Sequence, residues 1–205
     1  MKVITKIIKI KGSWEDVVND CRFTVNKDDL NKEPSDKFKK RILISEHSPI
    51  RNIIFKWEWR DLPHWVVVHW VRHKWEKYVA TQRADRTGKD RNKLPQDTPQ
   101  NMRGESNVQG LIDSMRKRLC FCASKETRDS AVSLKNEIKD VGEPFIADVL
   151  VPNCVYRGGC CEYSKDDPNR CMFFEKLYSD FTGDMSDIQE RYDHYNKKFY
   201  GGPNE

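Results

Sequence analysis

The chain has 205 residues, a formal net charge of +5, and 37% hydrophobic against 34% charged residues. Such a length suits one domain with a real core, with room for a small appendage. No run of eighteen apolar residues occurs, which excludes a membrane-spanning helix.

In chain order, residues 2–10 read as a strand. The opening MKVITKIIKIKGSW is basic and alternating, and it lacks the apolar stretch and small-residue cleavage site of a secretory signal. An edge strand in a cytoplasmic protein is expected. Ser13 with Asp16 three residues on forms a capping-box pattern that starts a helix. A second helix is expected over 35–46. The segment 50–59, with Ile54, Phe55, Trp57 and Trp59, reads as a partly buried strand. Pro63 suits the first turn of a helix that reaches Tyr78. Residues 88–106 hold Gly, Pro, Asn and Gln without periodicity and read as a long loop. Helices are expected at 106–119 and 124–140, an irregular cysteine segment at 152–171, and a final helical stretch at 172–199. The class is α+β, a small sheet packed with helices. Residues 1–150 form the expected main domain, and 151–205 a cysteine-containing loop with a C-terminal helical extension.

Charge is unevenly spread. Arg72 to Lys93 carries eight Lys/Arg against three Asp/Glu, and Glu162 to the end carries ten acidic against six basic residues. A concentrated basic stretch suits phosphate binding, and a solvated charged loop gives the same pattern. Within the Trp- and Val-rich segment HWVVVHWVRHKWEKY, continuous helix would put His69, Arg72, His73 and Glu76 on one face. Four ionisable groups on a largely apolar helix need a ligand, a cavity or a partner subunit unless the face is solvated. The His69–His73 spacing also fits zinc, but Trp70 stands where a metalloprotease needs Glu. The helix beginning near Asn107 would have Val108, Ile112, Met115 and Leu119 as its apolar face and Asn107, Ser114 and Arg118 on a polar one.

Of seven cysteines, four (Cys154, Cys160, Cys161, Cys171) fall within eighteen residues. Four thiolates in a Gly-, Pro- and Asp-rich loop fit tetrahedral zinc; an iron–sulfur cluster, a lone disulfide and free thiols are the alternatives. Cys120 and Cys122 are expected to be small core residues.

These pieces resemble the flavin-dependent thymidylate synthases, whose signature has the form R-H-R-x-x-S-x-N-E-x-S-x-R-Y. The chain has VRHKWEKYVATQRADR at 71–86. Arg72 and His73 match the first two positions and Lys74 takes the third. With one residue deleted, Thr81 and Arg83 match the later Ser and Arg. The Glu46–His47 pair and NVQGLIDSMRKRL at 107–119 match flanking family elements, with Asp113 for an Asn, Gln109 for an Arg and Ala84 for the Tyr.

The resemblance implies flavin contacts from His47, Arg72, His73, Lys74 and Asn107. It implies nucleotide contacts from His69, Arg72, Thr81, Gln82, Arg83 and Arg118, with Arg72 and His73 at the catalytic centre. It implies conversion of dUMP to dTMP, or a related one-carbon transfer to C5 of a pyrimidine deoxynucleotide. FAD, NADPH and methylenetetrahydrofolate would take part, in a homotetramer. The competing reading is a non-catalytic nucleotide- or nucleic-acid-binding module with a zinc-binding loop, using Arg72–Lys93 to track phosphates.

Overall fold

The computed structural model describes residues 3–30 and 32–200; Lys2, where the first strand was expected to begin, lies outside them. Strands β1 (Ile4–Lys11), β2 (Ile54–Pro63), β3 (Glu76–Val79) and β4 (Pro99–Asn107) form one sheet in the order β1-β2-β4-β3, every neighbouring pair antiparallel. Helices α1 (Trp14–Phe23), α2 (Asp36–Ile44), α3 (His64–Trp70), α4 (Ala84–Thr87), α5 (Val108–Arg118), α6 (Lys125–Asp140), α7 (Pro144–Asp148), α8 (Asn153–Tyr156), α9 (Phe173–Leu177) and α10 (Ile188–Tyr200) complete it. The α+β class is as expected.

Local chemistry accounts for several of these elements. The Ser13–Asp16 capping box is present in both directions and starts α1. Ser35 caps α2. Gly12 turns the chain between β1 and α1 with φ +74, and a Cβ there would lie 2.1 Å from the Asn52 carbonyl oxygen, so only glycine fits.

The sheet is two-faced. Phe55, Trp57 and Trp59 of β2 alternate inward and are fully buried. Opposite them, β4 presents Gln100, Met102, Gly104 and Ser106 inward. The other face is charged: Lys11 pairs with Glu105 at 2.6 Å and Arg103 with Glu58 at 3.2 Å. At the β1 edge, the bulge between Ile7 and Lys9 is covered from α6, because the Ile7 amide donates to the Glu137 carboxylate at 3.2 Å.

Residues 99–107 form the strand β4, not a loop. A strand with Gln, Asn, Gly, Glu and Ser carries no apolar alternation to read. Apart from Met102, its inward side chains are small or polar because they meet tryptophans: Trp57 faces Gly104 in the register, and a Cβ on Gly104 would lie 2.4 Å from the Trp57 ring. Pro99 occupies the first strand position, where the missing donor is tolerated.

The expected helix from Pro63 to Tyr78 ends at Trp70. Tyr78 and Val79 are strand formers, and residues 76–79 pair with β4 at the sheet edge. The Lys77 ammonium donates to the carbonyls of His73 and Trp75 and so satisfies the intervening turn. His69, Arg72, His73 and Glu76 therefore do not share a helical face. Likewise the expected strand at 50–59 begins only at Ile54, because Ser48–Asn52 is a 3-10 turn opened by Pro49. The stretch 172–199 is two helices, α9 and α10, separated by residues 178–187 with Gly183 and Asp184.

Candidate functional site

The site forms where the turn after α3 meets the C-terminal end of α5. Apolar Val108, Leu111, Ile112, Met115 and Leu119 bury one side of α5 and leave Arg116, Lys117 and Arg118 in its last turns. Arg118 Nε donates to His73 Nε2 at 2.7 Å, and Arg118 Nη2 donates to the His69 carbonyl at 2.7 Å. The guanidinium stands 6.0 Å from the Trp70 ring centroid. Trp70 is fixed in turn, since its indole N–H donates to Ser130 Oγ at 2.9 Å. His69 Nδ1 shares a 2.9 Å hydrogen bond with Thr127 Oγ1.

The electrostatics are one-sided. Burial first, then the charges of Arg118, Lys117 and Lys77, push the His73 imidazolium down to a pKa of about 4. His69 is also lowered, by burial and then by Arg118 and Arg72. Burial and the Arg72 charge lower Arg118 from the ordinary guanidinium range. Among the described residues, no carboxylate lies within 4.0 Å of Arg72, Lys117 or Arg118. Half-buried Arg118 with exposed Arg72 and Lys117 beside it, gathered without a counter-charge, makes a site for an anion. His73 is neutral here, and because Nε2 accepts from Arg118, its proton is assigned to Nδ1.

Of the residues singled out from the sequence, His69, Arg72, His73 and Arg118 thus come together. Lys74 is exposed on the turn. His47 is exposed at the start of the 3-10 turn packed on α5. Its neighbour Glu46 accepts from Arg116 and, at 2.7 Å, from Gln109 Nε2, pinning that segment to α5. Asn107 is the N-cap of α5, and its Oδ1 accepts the Gly110 amide at 2.9 Å. Ser114 does not share a polar face with it: Ser114 is buried and donates back to the Gly110 carbonyl at 2.7 Å. Thr81 and Arg83 make local contacts. Thr81 Oγ1 accepts the Arg83 amide at 3.2 Å, and the Arg83 fork grips Asp85 at 3.0 and 2.8 Å. Gln82 is half-buried between them.

Sequence reasoning passed over Lys117, Thr127 and Trp70. The basic triplet at 116–118 was a visible signal for the first. Nothing short of the fold places Thr127 beside His69, fifty-eight positions away.

A cleft of about 280 Å³ continues from Lys117 and Arg118 to the cysteine segment and α9. Cys154, Cys160, Cys161 and Cys171 line it. So do Cys120 and the exposed Cys122, which are therefore not small core residues. All seven cysteines are free thiols. Among the described residues, no three His, Cys, Asp or Glu side chains stand in a ready-made metal shell.

Two solved structures share this architecture. One is the UMP/dUMP methylase PolB from Streptomyces cacaoi bound with 5-Br dUMP: TM-score 0.58, 14% identity, covering 72% of this chain and 94% of that one. The other is thymidylate synthase X (ThyX) from Helicobacter pylori with FAD and dUMP: TM-score 0.60, 14% identity, covering 72% of this chain and 99% of that one. The chain has the thymidylate synthase X fold. No protein-family model and no curated protein matches the sequence. Among the described residues, no helix is long and apolar enough to cross a membrane.

Proposed function

We propose that this protein is a flavin-dependent methyltransferase acting at C5 of a pyrimidine deoxynucleotide monophosphate, dUMP first. FAD is its cofactor, methylenetetrahydrofolate the carbon donor and NADPH the reductant. The observation that carries the reading is the uncompensated cationic cluster of Arg72, Lys117 and Arg118 around a neutral His73. It lies in a fold shared with proteins solved with FAD and dUMP and with 5-Br dUMP.

The residues present suit both ligands. FAD and dUMP are anionic, and the cluster holds unpaired guanidinium and ammonium donors. Arg118 is anchored through Nε and Nη2, which fixes the direction of its remaining N–H groups before an anion arrives. Exposed Arg72 adds a second fork. Neutral His73 offers an Nδ1–H donor to a ring edge or carbonyl without adding charge. A bound flavin supplies the hydride chemistry; the chain's share is binding, orientation and electrostatic stabilisation. Arg72, His73, Lys74, His47 and Asn107 are proposed on the flavin side. His69, Arg72, Thr81, Gln82, Arg83 and Arg118 are proposed on the nucleotide side, in an assembly of several copies of the chain.

The test is the visible absorbance spectrum of purified protein with FAD, before and after dUMP. A bound-flavin spectrum perturbed by dUMP, and lost in a folded Arg72→Ala variant, is expected. A folded Arg72→Ala protein with unchanged flavin affinity would sink the assignment. Binding of single-stranded nucleic acid without flavin, steep in salt and strand length, would favour the binding module instead.

A further inference from the structure

Six of the seven cysteines meet in one cleft, although they come from three separate parts of the chain. Cys120 and Cys122 follow the end of α5. Cys154 is in α8, Cys160 and Cys161 lie in the loop after it, and Cys171 precedes α9. Cys120 and Cys122 line this cleft together with Cys161 and Cys171 of the loop. The Cys122 thiol now donates to the Asn169 carbonyl, 3.6 Å away. Turns at Gly158 and Gly159, both at positive φ, fold the loop back toward α5.

We propose that Cys120, Cys122, Cys161 and Cys171 form a tetrathiolate site for a soft divalent ion, zinc first, which staples the 157–172 loop to the end of α5. All-sulfur donor sets select soft or borderline ions, and tetrahedral zinc uses four such ligands with Zn–S of about 2.3 Å. The thiols are gathered but not yet closed, so binding draws Cys122 off the Asn169 carbonyl and brings the loop cysteines inward. Four protons leave as the four thiolates coordinate, giving a centre of charge −2. The cleft wall is suited to that charge, because Lys117, Arg118 and Arg170 line it. Cys154, held within α8, and Cys160 fall outside the set. The ligand set thus differs from a knuckle made within the 154–171 loop, since half its donors come from the turn that follows the helix carrying Arg118.

Elemental analysis of the full chain, expressed with zinc and freed of loose metal, should give one zinc per chain. Titration of metal-free protein with Co²⁺ should produce the visible bands of a tetrahedral thiolate site, and the zinc form should shield four thiols from a thiol reagent. The double variant Cys120→Ser/Cys122→Ser should lose the metal. Retention of one zinc by that variant would overturn the proposal in favour of a loop-only set. An iron–sulfur chromophore would overturn it as well, as would wild-type protein that binds neither Zn²⁺ nor Co²⁺ with all thiols reactive. If the double variant fails to fold, the identity of the shielded thiols in wild-type protein, read by mass mapping of the labelled peptides, still decides: shielding that includes Cys120 and Cys122 supports the site, and shielding confined to 154–171, or none, refutes it.

Discussion

Arg118→Met is the most informative single change to the anion site. Methionine keeps much of the aliphatic footprint over Trp70 and removes the charge together with both anchoring hydrogen bonds, to His73 Nε2 and to the His69 carbonyl. Hydrogen bonds to a charged group are worth roughly 1.5–3 kcal/mol each, so deletion alone would cost several kcal/mol. Opposing this, the guanidinium is half-buried beside Arg72 and its burial is itself unfavourable. The expected net loss of stability is therefore only about 1–2 kcal/mol. The nucleotide sees a different balance, because a phosphate loses a pre-positioned fork with nothing gained. Its affinity should fall about a hundredfold, or ~2.7 kcal/mol. Calorimetric titration of dUMP into the FAD-loaded protein measures that figure, and denaturant unfolding measures the stability. In the variant the His73 pKa should rise from about 4, yet stay below its ordinary value, since burial is the larger cause of its depression. A folded variant that binds dUMP as tightly as the parent would refute the placement of the phosphate at Arg118.

Two further changes probe the frame around the site. Folding holds His73 at about 4 against an ordinary 6.5, so between those values the unfolded chain takes up a proton that the folded one does not. The associated stability is intact above pH 6.5 and is lost as the pH falls toward 4. Allowing for the solvent that reaches the ring, its size is about 1–2 kcal/mol. Unfolding free energies from pH 4 to 7.5 should show that slope in the parent and a shallower one in His73→Gln; identical slopes would count against it. Gly104→Ala places a methyl 2.4 Å from the Trp57 ring and 2.6 Å from that of Trp75. It should cost about 3 kcal/mol in chemical denaturation, and an unchanged midpoint would show the tryptophan packing to be misplaced.

Where an element is dictated by its own residues, the sequence was readable. The Ser13–Asp16 box, the Ser35 cap and the apolar stripe of α5 are local signals, and each element begins within a residue or two of its expected position. Where tertiary context decides, reading failed. The strand β4 is polar because its inward positions must leave room for tryptophans contributed by β2 and by the turn after α3, a requirement written elsewhere in the chain. The helix α3 stops at Trp70 because residues 76–79 find a partner strand that lies twenty-odd positions further on. At the site, Arg72, His73 and Arg118 were legible through a resemblance in motif order. Their actual bond, Arg118 to His73, was not, since the assumed helix put His73 in a stripe with Glu76. Cys120 and Cys122 were misassigned for the same kind of reason: a short, small-residue spacing looks like core until a distant loop folds over it.

The early end of α3 also determines how the site can hold an anion. A helix continuing to Tyr78 would have carried Arg72 and His73 along its own axis; the turn instead delivers them to the end of α5. That end is the C-terminus, where the helix dipole favours the cations Arg116, Lys117 and Arg118 and offers no free amide groups to a phosphate. Phosphate sites built on helix N-termini draw on backbone N–H donors that no mutation of a side chain removes. Here the end of α5 offers side-chain charge that is partly open to solvent in place of such amides. Binding should accordingly weaken steeply with ionic strength and respond to each of Arg72, Lys117 and Arg118 separately.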